Sequence, residues 1–192
     1  MPRTKSFDQE EILDKATNLF WQQGYNGTPP QDILDTTGLS RSSLYDTFGD
    51  KHSLFLQCLR RYRDTETEFV VNYLDGSEDT AAAIRRIFRG HWEHAAKQRQ
   101  QKGCLMVNTL NEVAPHDPEV ASIVQENRQA IENAFYRAIR RGQQQGLIIR
   151  SHQPRAFARY LINCLWGLTV QIKLGIDKRT ADDIVKVTLS VL

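Results

Sequence analysis

The chain has 192 residues, of which 40% are hydrophobic and 25% charged, with a formal net charge of +2. That is enough apolar material to offset chain entropy, so disorder is excluded as the main state, and the length allows one sizeable core or two small ones. No apolar run reaches the ~18–20 residues of a membrane span, no apolar stretch of a secretory signal follows Met-Pro-Arg-Thr-Lys, and Cys58, Cys104 and Cys164 form neither a disulfide framework nor a zinc pattern, which predicts free thiols in the cytoplasm.

The whole chain reads as helix, because no segment alternates apolar and polar residues with period two over a useful length. The first predicted helix covers residues 7–23. Ile12, Ala16, Leu19 and Phe20 share a face, Asp8, Glu10 and Glu11 sit at the electropositive end, and Gly24 stops it. Thr28-Pro29-Pro30-Gln31 reads as a capping box that opens a second, short helix ended by Gly38. A third runs from Ser40 or Arg41 to Phe48. After Gly49-Asp50-Lys51 a long fourth helix follows, with Leu54, Phe55, Cys58, Leu59 and Tyr62 on its apolar face. Beyond Asp75-Gly76-Ser77 the predicted helices cover 79–98, 104–113, 118 to near 146, and 154–174. A last helix is capped by Thr180-Ala181-Asp182-Asp183.

Residues 31–51 carry the functional signal. Two short helices joined by a tight glycine turn form a helix-turn-helix, with Ile33, Leu34, Leu39, Leu44 and Phe48 as its small core. The leading face of the second helix offers Arg41, Ser42, Ser43 and Tyr45, residue types that reach base edges and phosphates. Lys51 is placed to hold a phosphate together with a helix N-terminus, and Arg3 and Lys5 form an arm able to enter a groove. The alternative is a plain helical hairpin. Net charge does not separate the two, since residues 1–50 hold four basic and eight acidic side chains.

Residues 7–58 resemble the N-terminal domain of the TetR/AcrR family of bacterial transcriptional regulators. The resemblance rests on Ala16, Leu19-Phe20, Gly24-Tyr25, Thr28, Asp32-Ile33, Gly38-Leu39-Ser40, Ser43-Leu44-Tyr45, Phe48, Lys51 and Leu54-Phe55. It implies an all-α fold: an N-terminal three-helix DNA-binding domain, here residues 1–50, and a larger C-terminal domain, residues 51–192, for dimerisation and an effector. It also implies phosphate contacts from Thr28, Tyr45 and Lys51, and a recognition helix that begins at Ser40, Arg41, Ser42 and Ser43. Pro29-Pro30 and Gly49-Asp50 depart from the commoner pattern without removing a DNA donor.

The helix over 154–174 is apolar on two sides and must be covered twice. Phe157, Leu161, Leu165 and Leu168, with Ile184, Val187 and Val191 of the last helix, are the predicted dimer interface. A two-fold dimer matches a palindromic operator. His91, Trp92, Cys104, Met106, Asn108, Thr109, Glu112, Asn127, Tyr136 and Trp166 mix polar groups with apolar walls, as an effector pocket requires. Cys104 falls near a helix N-terminus, where the dipole lowers a thiol pKa; the alternative is a buried small hydrophobe. His91, Glu93 and His94 lack further ligands for zinc. The expectation is a cytoplasmic homodimeric repressor without cofactor, released from double-stranded operator DNA by a small, partly hydrophobic effector. Switching by modification of Cys104 and an all-α thiol or metal enzyme are the alternatives.

Overall fold

The computed structural model describes residues 7–97 and 102–192. Among them are ten α-helices and no strand: α1 (Gln9–Gln23), α2 (Pro30–Thr37), α3 (Arg41–Phe48), α4 (Lys51–Tyr62), α5 (Glu68–Gly76), α6 (Thr80–Lys97), α7 (Leu105–Glu112), α8 (Pro118–Gln145), α9 (Pro154–Leu174) and α10 (Lys178–Leu189). The predicted long fourth helix is α4 and α5 joined by a π-helical turn, Arg63–Thr67. There the Thr65 hydroxyl donates back to the Arg61 carbonyl (3.0 Å), and Thr67 donates to Asn127 of α8 (2.6 Å). Side chains thus compete with the helical ladder where the turn widens.

Most helix ends follow their local chemistry. Asp8, Ser40, Asp50 and Asp117 cap α1, α3, α4 and α8 with side-chain oxygens on backbone N–H groups. Two expectations need correction. The N-cap of α2 is Pro29, with no side-chain cap bond, so the capping box does not form. The N-cap of α10 is Asp177, which accepts from the Thr180 N–H (2.7 Å); Thr180 is therefore inside the helix.

Two cores result. One gathers α1–α4 around Phe20, Phe55 and Leu59, and continues into Leu105 and Met106 of α7 and Val120 and Val124 of α8. The other holds Leu74, Ile84, Phe88, Phe135 and Ile139 against α9 and α10. Thus α4, the start of the second predicted domain, shares the first core.

The predicted dimer interface is corrected here. Phe157, Leu161, Leu165 and Leu168 are 0–7% exposed within the second core, and Ile184 and Val191 are partly buried against it. Of that set, Val187 faces outward. The outer stripe of α9 is instead Ala156, Tyr160, Asn163, Gly167, Val170 and Leu174, all exposed, at the spacing of a helical seam.

A buried carboxylate ties α8 to α9. Glu132, 2% exposed, meets Arg128 (2.7 Å), Arg155 (3.3 Å) and Arg159 (3.3 Å), while Arg155 also lies over the Tyr136 ring at 4.0 Å. Burial alone raises the Glu132 pKa, yet the three guanidiniums win and hold it below the ordinary value. Glu132→Ala should cost roughly 1.5–3 kcal/mol, the worth of charge-assisted hydrogen bonds, as a shift in denaturant midpoint near neutral pH. Because the folded pKa is depressed, that stabilisation is complete above the ordinary 4.5 and is lost as pH falls through the folded value. The gap between wild type and variant should therefore be flat near neutrality and narrow in acid.

Candidate nucleic-acid interface

The turn between α2 and α3 is built on Gly38, whose φ of +72° is a left-handed conformation and whose N–H reaches the Leu34 carbonyl (2.8 Å). Ser40 then caps α3, accepting from the Ser43 N–H (3.2 Å) and donating to the Ser43 hydroxyl (2.9 Å). Leu44 and Phe48 anchor α3 in the first core, 4% exposed each. The leading end is left outside: Arg41, Ser42 and Tyr45 are exposed, and among the described residues nothing pairs with the Arg41 guanidinium. Ser43 is half-buried. Arg3 and Lys5 lie outside the described residues.

Thr28 departs from its expected role. It is fully buried, and its hydroxyl donates to the Gly24 carbonyl (2.6 Å). It braces the loop between α1 and α2 and presents no free donor to a phosphate. Lys51 opens α4 with its ammonium 4.3 Å from the centre of the Tyr25 ring. Burial lowers its pKa, and the Glu112 charge opposes that. The Tyr25 phenol is pushed up by burial and by Asp50 and Asp117.

This surface is held from behind by the junction of α7 and α8. Glu112 accepts hydrogen bonds from the backbone N–H groups of Tyr25 (3.1 Å) and Asn26 (2.7 Å). His52, in the first turn of α4, meets the Asp117 carboxylate at 2.6 Å. The N–H of Val120, then His52, holds Asp117 below its ordinary pKa. Trp21 donates to the Gly103 carbonyl (3.1 Å) and Lys102 to Asn18 (2.5 Å). His52 and Asp117 are 65 positions apart and carry no shared local signal. The sequence pattern therefore missed the pair.

The ten residues expected around an effector divide between different tasks. Glu112 serves the α1–α2 loop. Met106 is wholly buried in the first core, and Thr109 is 1% exposed. Asn127 accepts from Thr67, Tyr136 lies under Arg155, and Asn108 joins the Lys102 carbonyl to the Lys173 ammonium. His91 meets the Thr169 hydroxyl (2.7 Å) in the C-terminal half. Trp166 lines a groove of about 360 Å³ with Leu110, Val124 and Arg128. Trp92 lines a different one, of about 650 Å³, between α6 and α10. Cys104 is the N-cap of α7 and receives a hydrogen bond from the Tyr62 hydroxyl (3.4 Å). Burial pushes its thiol up, outweighing the helix N-terminus that was expected to lower it. Among the described residues no group of His, Cys, Asp and Glu could hold a metal ion, and no helix is long and apolar enough to cross a membrane. The side chain of His94 lies outside what is described.

A helical scaffold that buries the rear of α3 and exposes its first turn defines a helix-turn-helix DNA-binding protein. Residues 12–58 match the family of bacterial regulatory proteins named for tetR, and residues 81–188 match a tetracyclin repressor-like C-terminal domain. The helix-turn-helix-type transcriptional regulator YezE of Bacillus subtilis (strain 168) is 36% identical over the full length of both chains. The transcriptional repressor ComR of Escherichia coli (strain K12) is 25% identical over 90% of this chain and 83% of its own. Among solved structures, a cysteine mutant of the TetR-family regulator CifR, complexed with operator DNA, superposes with a TM-score of 0.86 at 24% identity over 98% of each chain. The reduced form of Escherichia coli NemR superposes with a TM-score of 0.87 at 18% identity, over 96% of this chain and 97% of its own. The chain belongs to the TetR family of bacterial transcriptional regulators. It regulates transcription by binding DNA and is not an enzyme.

Gly24 tests the brace behind the interface. Its φ is +78°, and a Cβ there would lie 2.6 Å from a Glu112 carboxylate oxygen. Gly24→Ala should destabilise the wild type more than it destabilises Glu112→Ala. The double-mutant cycle in denaturant should show a coupling on the order of 1 kcal/mol. A coupling of zero would mean that Glu112 does not hold the loop.

Proposed function

We propose that the chain is a homodimeric cytoplasmic repressor. It holds a two-fold operator through the leading ends of two α3 helices and leaves when a small, partly hydrophobic effector enters the C-terminal half. The observation that carries the DNA contact is the exposure of Arg41, Ser42 and Tyr45 on a helix whose other side is locked in the core. Arg41 supplies the bidentate donor suited to a guanine edge, and Ser42 and Tyr45 supply hydroxyls for phosphate or base. Lys51, carried by the electropositive end of α4, supplies a phosphate contact.

The outer stripe of α9 supports the dimer. Val170 is 49% exposed and Leu174 77%, and Val187 of α10 is 67% exposed. Apolar side chains so placed gain about 1.5–3 kcal/mol each on full burial. Gly167, with open space where a Cβ would stand, permits close approach of two copies. Modification of Cys104 as the switch is disfavoured, because burial raises its thiol pKa, away from the thiolate form that reacts.

Arg41→Ala should weaken binding to a fragment from upstream of the coding region by roughly 1–3 kcal/mol, and Tyr45→Phe by less, with the dimer intact. Unchanged affinity of both variants in a fluorescence-anisotropy titration would remove these residues from the site. Val170→Glu with Leu174→Glu should yield a folded monomer by light scattering and lower operator affinity. A dimer unaffected by the pair would place the seam elsewhere.

A further inference from the structure

The groove between α6 and α10 has no part in the contacts described so far. Its floor is apolar: Val185 and Leu189 are buried, and the half-buried Trp92 forms one wall. Its rim is basic, with Arg85 and Arg89 from α6 and Lys178 and Lys186 from α10. Two carboxylates, Glu93 and Asp182, also line it, and Asp182 is already paired with Lys178. Among the described residues, no carboxylate pairs with Arg85, Arg89 or Lys186. Arg86 lies beside Arg85 and Arg89 along a second, contiguous groove on the outer face of α6. The volume, about 650 Å³, is within the range that holds a small organic ligand.

We infer that this groove binds an amphipathic organic anion, an apolar or aromatic body bearing one carboxylate, sulfonate or phosphate. The body lies against Trp92, Val185 and Leu189 and excludes water from them. The anionic group sits between the Arg85 and Arg89 guanidiniums, whose planar donor sets match such oxygens. A neutral ligand would leave the two guanidiniums unneutralised, and a cation would be repelled, so the charge pattern selects the sign. On α10 the groove-facing Lys178, Asp182, Val185 and Leu189 lie about opposite Val187, at 100° per residue. The proposed dimer seam therefore leaves the groove open. The binding claim stands on the groove alone; its link to operator release rests on the repressor reading. Downstream of α6 in sequence, Lys102 and Gly103 bond Asn18 and Trp21 of α1.

Anilinonaphthalene sulfonate and its uncharged parent, phenylnaphthylamine, share one chromophore and differ in the sulfonate. The full-length protein should bind the sulfonate saturably, at one site per protomer, and more tightly than the parent. Arg85→Gln with Arg89→Gln should weaken the sulfonate about tenfold or more, as expected on losing charge-assisted contacts, and should change the parent little. Excitation energy transfer from tryptophan to the bound sulfonate should fall most in Trp92→Phe, less in Trp21→Phe or Trp166→Phe. Equal sulfonate affinity in the double variant, equal binding of the parent to wild type, or no saturable binding would each overturn the site. So would loss of operator affinity by the ligand-free double variant, which would assign the arginines to DNA. Sulfonate bound in the groove without operator release would leave the site standing and sever it from regulation.

Discussion

The structure depends on a core that its DNA-reading end cannot close alone. A unit of about fifty residues buries so small a share of its surface that its stability by itself is marginal. Here Phe20, Phe55 and Leu59 are completed by Leu105 and Met106 from α7 and by Val120 and Val124 from α8. The helix-turn-helix is thus not a bead on a linker. Its orientation is set by the same apolar contacts that position the start of the regulatory half. The polar contacts at that joint are directional. Glu112 fixes the loop leading into α2, and Asp117 fixes the first turn of α4 through His52. A displacement of the α7–α8 junction must therefore move both ends of the helix-turn-helix or break buried contacts, and close-packed interiors transmit such strain rather than absorb it.

This arrangement also explains how an acidic segment can face DNA. Residues 1–50 carry four more acidic than basic side chains by count, but many of those carboxylates are committed. Asp8 and Asp50 cap helices. Glu10 and Asp14 pair with Arg61, and Glu11 with Lys15. Asp35 accepts from Gln31. The leading turn of α3 contains no acid; Asp46 comes one turn later. Placement relative to the reading surface decides what a phosphate meets at contact range, because exposed charges more than about 10 Å away are largely screened by salt.

The helices and the turn of the helix-turn-helix were legible because local chemistry specifies them. Pro154 opens α9 and Leu174 ends it as read, Ser40 caps α3, and Gly38 supplies the left-handed turn. What the pattern could not supply was partnership at a distance. The amphipathic signal of α9 contains two apolar stripes, and periodicity alone does not say which faces its own protomer. The stripe of larger side chains, Phe157, Leu161, Leu165 and Leu168, went inward because it fills more volume against α8. Glu112 was read as ligand-facing because a polar residue on an apolar face looks the same whether it meets a ligand or a backbone amide, and Thr28 as phosphate-facing because the family resemblance implied it. In both cases the nearby chain satisfies it first. Cys104 shows a contest of magnitudes: the helix end favours the thiolate, burial disfavours it, and burial prevails.

The division of α10 into faces binds these observations together. Ala181, Val185 and Leu189 anchor it in the second core, Val187 faces outward, and Lys178 and Lys186 overhang the groove toward α6. An anion bridging α6 and α10 would draw the two helices together. Since α10 is anchored on the core it shares with α9, and α9 carries the exposed stripe, the same displacement would be felt at a two-fold seam. Downstream of α6 in sequence, Lys102 and Gly103 hydrogen-bond to Asn18 and Trp21 of α1. The short helix α10 thus stands between a charged groove and a self-association surface. It can bias both without a large movement, provided that the ligand distinguishes two packings of the C-terminal half by its binding energy.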